Sequence, residues 1–156
     1  MKKYLILLLV LTIVNCSSTP TANLPVKSTV EGKALEYKLD GKTYEGYMAV
    51  DKSISGKRPG ILVIHEWWGL NEYPKQRARQ LADLGYTAFV MDVYGKGIIA
   101  ADHNEAGKLS GANSDSKVLL KKISEAMKIL KADPSVDANQ IGAIGYCFGG
   151  MGVIEI

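Results

Sequence analysis

The spacing of apolar and polar positions changes several times along the chain, and each change marks a different element. A basic pair, Lys2 and Lys3, precedes the apolar run Tyr4 to Val14, interrupted only by Thr12. That run is too short to span a bilayer and suits the apolar region of a signal peptide. Ser17 to Thr29 is rich in Ser, Thr and Pro and reads as a flexible spacer. From Lys33 the pattern alternates, with Leu35, Tyr37 and Leu39 on one face. After Asp40-Gly41 a second run, Tyr44 to Val50, follows, and the two predict an antiparallel hairpin. Gly60 to Ile64 is continuously apolar and β-branched, as in a strand covered on both faces.

A helix is expected over Glu72 to Leu84, ended by Gly85, and then a strand over Tyr86 to Met91. Lys96 to Ser114 is a long connection with one short helix around Glu105 to Leu109. Asp115 to Lys131 carries a helical stripe of Val118, Leu119, Ile123, Met127 and Leu130, with Lys121, Lys122, Glu125 and Lys128 on a solvated face. Asp133-Pro134 stops that helix, Asp137-Ala138-Asn139 turns, and Ile141 to Ile144 enters as a strand. This strand–helix–strand rhythm predicts an α/β fold with a mostly parallel sheet behind an N-terminal hairpin.

Composition narrows the partners. With 156 residues, 47% of them hydrophobic, the chain has room for one domain. The net charge is +3, and removing Lys2 and Lys3 leaves +1, which does not point to nucleic acid. The apolar run closes in Ile13-Val14-Asn15-Cys16. It resembles a bacterial lipoprotein signal in which Cys16 takes the lipid, although Asn15 stands where a small residue is usual; an ordinary secretory signal is the alternative. The expected divisions are residues 1–15 as signal peptide, 16–32 as lipid-anchored linker and 33–156 as the domain, which puts the protein in the bacterial cell envelope. The other cysteine, Cys147, is then the only free thiol, and a disulfide framework is excluded.

Cys147 lies in Gly145-Tyr146-Cys147-Phe148-Gly149-Gly150, directly after the last apolar run. Glycines on either side suit a sharp strand-to-helix corner where neighbouring backbone approaches closely, with cysteine at the nucleophile position of G-x-S-x-G. Such a corner aims the thiol at the first turn of the next helix. A buried structural cysteine is the competing interpretation. The earlier strand closes in His65-Glu66-Trp67-Trp68-Gly69, at the strand end where ligands collect in open α/β sheets, and the next in Asp92-Val93-Tyr94-Gly95.

Together these three runs resemble the dienelactone hydrolase family of the α/β-hydrolase fold, from about Lys33 onward. The resemblance implies Cys147 as nucleophile, the N–H groups of Trp67 and Phe148 as oxyanion hole, and Glu66 as the carboxylate that meets the resting thiol. Because a nearby carboxylate raises a thiol's pKa, Glu66 makes sense as a switch that substrate displaces; a surface carboxylate is its alternative. Trp68 and Tyr94 are expected in the substrate pocket, and both tryptophans could equally be core cover. His65 is expected to be structural and His103 exposed. The resemblance calls for no cofactor or metal.

One departure matters most. The family's acid and histidine follow the nucleophile, yet no Asp or His follows Cys147, and Ile156 is nine residues on. No arginine occupies Asp102 to Leu109 to hold a substrate carboxylate. The expectation is therefore the N-terminal portion of an envelope hydrolase of small esters or lactones, with little turnover of its own. A non-catalytic envelope lipoprotein that uses the fold remnant for binding is the rival.

Overall fold

The computed structural model describes residues 29–156, so the expected signal peptide and Cys16 lie outside the described residues. Strands β1 (Val30–Leu39) and β2 (Lys42–Asp51) form the hairpin, turning at Asp40 and Gly41, both at positive φ. The chain continues through β3 (Arg58–Ile64), α1 (Glu72–Asp83), β4 (Thr87–Met91), α2 (His103–Ala112), α3 (Ser116–Ala132), β5 (Val136–Gly145) and α4 (Phe148–Ile154). The sheet order is β1-β2-β4-β3-β5; β3 pairs in parallel with both β4 and β5, and the hairpin joins antiparallel through β2.

The continuous apolar runs form the centre of the sheet. Leu62, Val63 and Ile64 of β3 and Ala88 to Met91 of β4 have no exposed surface. Successive strand residues face opposite sides, so both faces need cover. On one side Ala78 and Ala82 of α1 pack against Val63, Ala88 and Val90. On the other, Leu119, Ile123, Ala126 and Leu130 of α3 meet Leu62, Ile64, Phe89 and Met91.

Several boundaries differ from expectation. Strand β1 starts at Val30 rather than Lys33, so residues 30–32 belong to the sheet and not to the linker. Helix α2 is longer than predicted: the Asp102 carboxylate caps it by accepting the Glu105 N–H at 2.8 Å, and the Glu105 carboxylate accepts the Ala101 N–H at 2.8 Å. Strand β5 begins at Val136, and the expected turn survives inside it as a bulge. Pro59 pairs with Asp137 and Gly60 with Ile141, which leaves Ala138 to Gln140 unpaired.

The polar face of α3 is not wholly solvated. Val118 is 42% exposed and Ala126 takes its place in the stripe. Lys122 turns inward, and its ammonium donates to the Val93 carbonyl at 2.7 Å and to the Asn113 side chain. Burial lowers its pKa, and Lys42 nearby lowers it further.

Among the described strands β5 pairs only with β3. Beside it, α3, β5 and the end of the chain line an open cavity of about 720 Å³ through Ile123, Met127, Ile141, Val153 and Ile156.

Candidate active site

The parallel ladder ends with Ile64 opposite Gly145. From that rung both strands leave the sheet: the Tyr146 N–H still reaches the Ile64 carbonyl at 3.3 Å, and Glu66 and Cys147 each lie two residues beyond it. The register thus brings the two chain segments singled out by sequence to one end of one strand pair.

Cys147 adopts φ 51° and ψ −114°, left-handed backbone that a non-glycine residue rarely takes, and the residue is exposed. The glycines around it are required by space. A β-carbon on Gly145 would lie 2.1 Å from the Gly149 carbonyl oxygen, and one on Gly149 would lie 2.2 Å from the Ile64 carbonyl oxygen. Tight hydrogen bonds fold the corner into α4: Gly149 N–H to Tyr146 O at 2.9 Å and Gly150 N–H to Cys147 O at 2.9 Å. Among the described residues the N–H groups of Phe148 and Trp67 have no acceptor within the protein.

His65 has no exposed surface. Its Nε2 accepts the Val93 N–H at 3.2 Å, so the proton of the neutral ring is on Nδ1, which donates to the Glu66 carbonyl at 2.6 Å. Burial lowers its pKa and favours this neutral form, outweighing the Glu66 carbonyl and Asp92, which act in the other direction.

Tyr94, expected on the pocket wall, is 2% exposed and sits beneath the loop instead. Its hydroxyl donates to the Trp67 carbonyl at 2.9 Å, and its ring lies edge-on to His65 at 5.0 Å and tilted against Phe148 at 6.1 Å. Burial raises its pKa, and Cys147 raises it further, so the hydroxyl stays protonated to donate.

Asp92 anchors the same strand end, its carboxylate accepting N–H groups from Tyr94 at 2.9 Å, Gly95 at 2.8 Å and Glu45 at 3.1 Å. Lys42 holds the Tyr94 carbonyl and Lys122 that of Val93. Every polar backbone group of Val93 and Tyr94 is therefore engaged, which makes this strand end a rigid support for the loop above it.

Trp68 lines an open cavity of about 350 Å³ with Glu66, Asn71 and Tyr73. Trp67 is half-buried and packs on the core. No hydrogen bond joins the Glu66 carboxylate to the Cys147 thiol among the described residues. His103 is exposed, as expected, but its ring stands edge-on to Trp67 at 5.7 Å and to Trp68 at 5.1 Å, a contact with no signal in local sequence. Arg77 of α1 likewise carries no signal of its contacts in local sequence. It lies over the rings of Tyr73 and Tyr146, 5.1 Å and 5.8 Å from their centroids.

The chain is similar to known proteins in sequence and in fold. The chain is 34% identical over 132 residues to a protein of Aquifex aeolicus (strain VF5) provisionally named a carboxymethylenebutenolidase, covering 76% of this chain and 52% of that one. A dienelactone hydrolase-like promiscuous phosphotriesterase from metagenomic libraries superposes with a TM-score of 0.75 at 32% identity, over 81% of this chain and 53% of that one. The structure named m3DLH gives a TM-score of 0.77 at 33% identity, with the same coverage of 81% and 53%. The chain thus spans about half the length of the relatives it matches. The model of the dienelactone hydrolase family matches residues 44–156, taking in both the Glu66–Trp67 loop and the Cys147 corner, and the chain belongs to that family.

Proposed function

We propose that this chain carries the nucleophile half of a hydrolase of small esters or lactones, with Cys147 forming the acyl-enzyme. The observation that supports it is the positive φ of Cys147 between two glycines that admit no β-carbon. A corner held this way against steric strain presents its side chain for use.

The Cys147 thiol gives up its proton to solvent, the sulfur attacks the substrate carbonyl carbon, a C–S bond forms, and the carbonyl electron pair moves to oxygen. Unpartnered N–H groups of Trp67 and Phe148 receive that oxyanion. Collapse breaks the acyl C–O bond, expels an alkoxide that takes its proton from solvent, and leaves a thioester on Cys147. Glu66, which lies two residues past the last β3 rung as Cys147 lies past that of β5, is the carboxylate that would swing toward the thiol and yield to substrate. Trp68, beside Glu66 on the cavity wall, contacts the acyl or alcohol portion.

Proton transfer to the leaving group and activation of water for deacylation need a base. No histidine follows Cys147 in these 156 residues, and His65 is spent on backbone contacts. General acid–base catalysis is worth about 10²–10⁴-fold, so this chain should acylate and then stall. Incubation with p-nitrophenyl acetate should release one equivalent of nitrophenolate, dependent on Cys147. Sustained turnover that Cys147→Ala abolishes would refute the stall, and no Cys147-dependent release would refute the nucleophile.

The same proposal ties the protein to a bacterial envelope membrane by lipid on Cys16, supported by the basic pair and apolar run before it. Labelling with a palmitate analogue in bacteria should be lost in Cys16→Ser; label retained in that variant would remove the anchor from the proposal.

A further inference from the structure

The proposed mechanism leaves one fully buried titratable group unused: His65. Its two ring nitrogens bridge the ends of two strands, with Nε2 accepting from Val93 N–H after β4 and Nδ1–H donating to the Glu66 carbonyl after β3. The Glu66 carbonyl belongs to the same peptide plane as the Trp67 N–H. All peptide bonds of the described residues are trans, so the two point in opposite directions. Holding the oxygen toward His65 therefore turns the N–H to the other side of the loop, where it has no acceptor in the protein.

Two further contacts limit rotation of this peptide. Gly69 N–H also donates to Glu66 O, at 3.3 Å, and Tyr94 Oη holds the carbonyl of the next peptide at Trp67. Val93, which receives His65, is itself fixed through its carbonyl by Lys122. The frame is continuous from α3 through the end of β4 to the loop.

We propose that His65 is a positioning residue for acyl transfer: by holding the Glu66 carbonyl, its Nδ1–H aims the Trp67 N–H at the oxyanion formed on a substrate attacked by Cys147. This rests on Cys147 acting as the nucleophile. The donation also polarises the peptide, which makes the Trp67 N–H a stronger donor. The role needs a neutral imidazole in a single tautomer, since a proton on Nε2 would remove the acceptor for Val93.

The test separates orientation from simple support of the fold. Asparagine can return a donor near Nδ1, whereas glutamine places its amide near Nε2, so His65→Asn keeps the critical contact and His65→Gln loses it. Acylation by p-nitrophenyl acetate passes through an oxyanion; alkylation of Cys147 by iodoacetamide does not. His65→Gln should slow acylation by about 10²-fold, the cost of an ångström-scale misplacement at a reacting centre, with alkylation unchanged, and His65→Asn should restore most of the rate. Acylation of His65→Gln at the wild-type rate, or an equal fall in acylation and alkylation, would overturn the proposal.

A wild-type chain that is alkylated at Cys147 but never acylated would sink the nucleophile itself. In that event the imidazole ¹⁵N spectrum still decides the orienting contact. A proton on Nδ1 at neutral pH supports it, and a proton on Nε2 or a doubly protonated ring overturns it.

Discussion

Gly149 lies so close to Ile64 that a β-carbon on the glycine would stand 2.2 Å from the Ile64 carbonyl oxygen. The first turn of α4 is in this way pressed onto the end of β3, and the cysteine corner and the Glu66–Trp67 loop leave the same end of one strand pair. Backbone on backbone cannot yield as a flexible side chain can.

Gly149→Ala should therefore lower the stability to urea by about 1–3 kcal/mol, the usual cost of overpacking. Gly150 is the internal control: a β-carbon there meets nothing nearer than 3.8 Å. Gly150→Ala should be neutral or stabilising by up to about 1 kcal/mol, as expected for alanine replacing glycine within a helix. Equal losses in the two variants would contradict the packing described.

The buried histidine predicts a pH dependence. The folded-state pKa of His65 lies below its ordinary value of 6.5, so the unfolded chain binds the proton more readily. The stability associated with neutral His65 is complete above about pH 6.5 and is lost as pH falls from there toward the folded-state value. Asp51, Glu72 and Asp137 have lowered pKa values and titrate in a more acidic range. Urea midpoints measured between pH 7.5 and 5.5 should fall with pH in the wild type and flatten in His65→Asn. An unchanged slope in that variant would assign the effect elsewhere.

Lys122 offers a contrast with its neighbours on α3. It supports the Val93 carbonyl from a half-buried position, whereas Lys128 is 71% exposed and pairs with Glu125 at the surface. Lys122→Met should cost about 1–3 kcal/mol, as expected for a charged group's hydrogen bond lost from a partly buried acceptor. Lys128→Met should stay within about 0.5 kcal/mol. Thermal unfolding of the two variants checks the difference, and a Lys122→Met protein as stable as Lys128→Met would show that the strand end does not need its cation.

The parts legible in the sequence are those whose cause is local. Apolar runs such as Leu62-Val63-Ile64 require cover on both faces, and the glycines around Cys147 mark a close approach. The parts that escaped depend on distant partners. Glu31 and Gly32 carry no alternation, yet pair with Val50 and Ala49. Asp137 to Asn139 looks like a turn because it is one, accommodated by a bulge in a strand that continues on both sides. Lys122 has the helical position of a surface residue, and its bonds to the Val93 carbonyl and the Asn113 side chain draw it inward. His65 reads as structural from its place on an apolar strand; the loop it orients becomes visible only when Val93 and Glu66 are brought to either side of the ring.

Tyr94→Phe probes the same loop from below. It removes the donor to the Trp67 carbonyl and leaves that acceptor unsatisfied, at a cost of about 1–3 kcal/mol. The loosened loop should exchange the Gly69 and Asn71 amide hydrogens, both hydrogen-bonded within it, faster than in the wild type; unchanged exchange would mean that the hydroxyl does not restrain the loop.

The most direct test of the account is mass spectrometry of the intact 156-residue chain after brief exposure to p-nitrophenyl acetate, followed by peptide mapping. The account predicts a single acetyl group held as a thioester on Cys147, persisting because the chain stalls after acylation and absent from Cys147→Ala. Acetylation confined to lysines, with Cys147 unmodified in the folded protein, would contradict it.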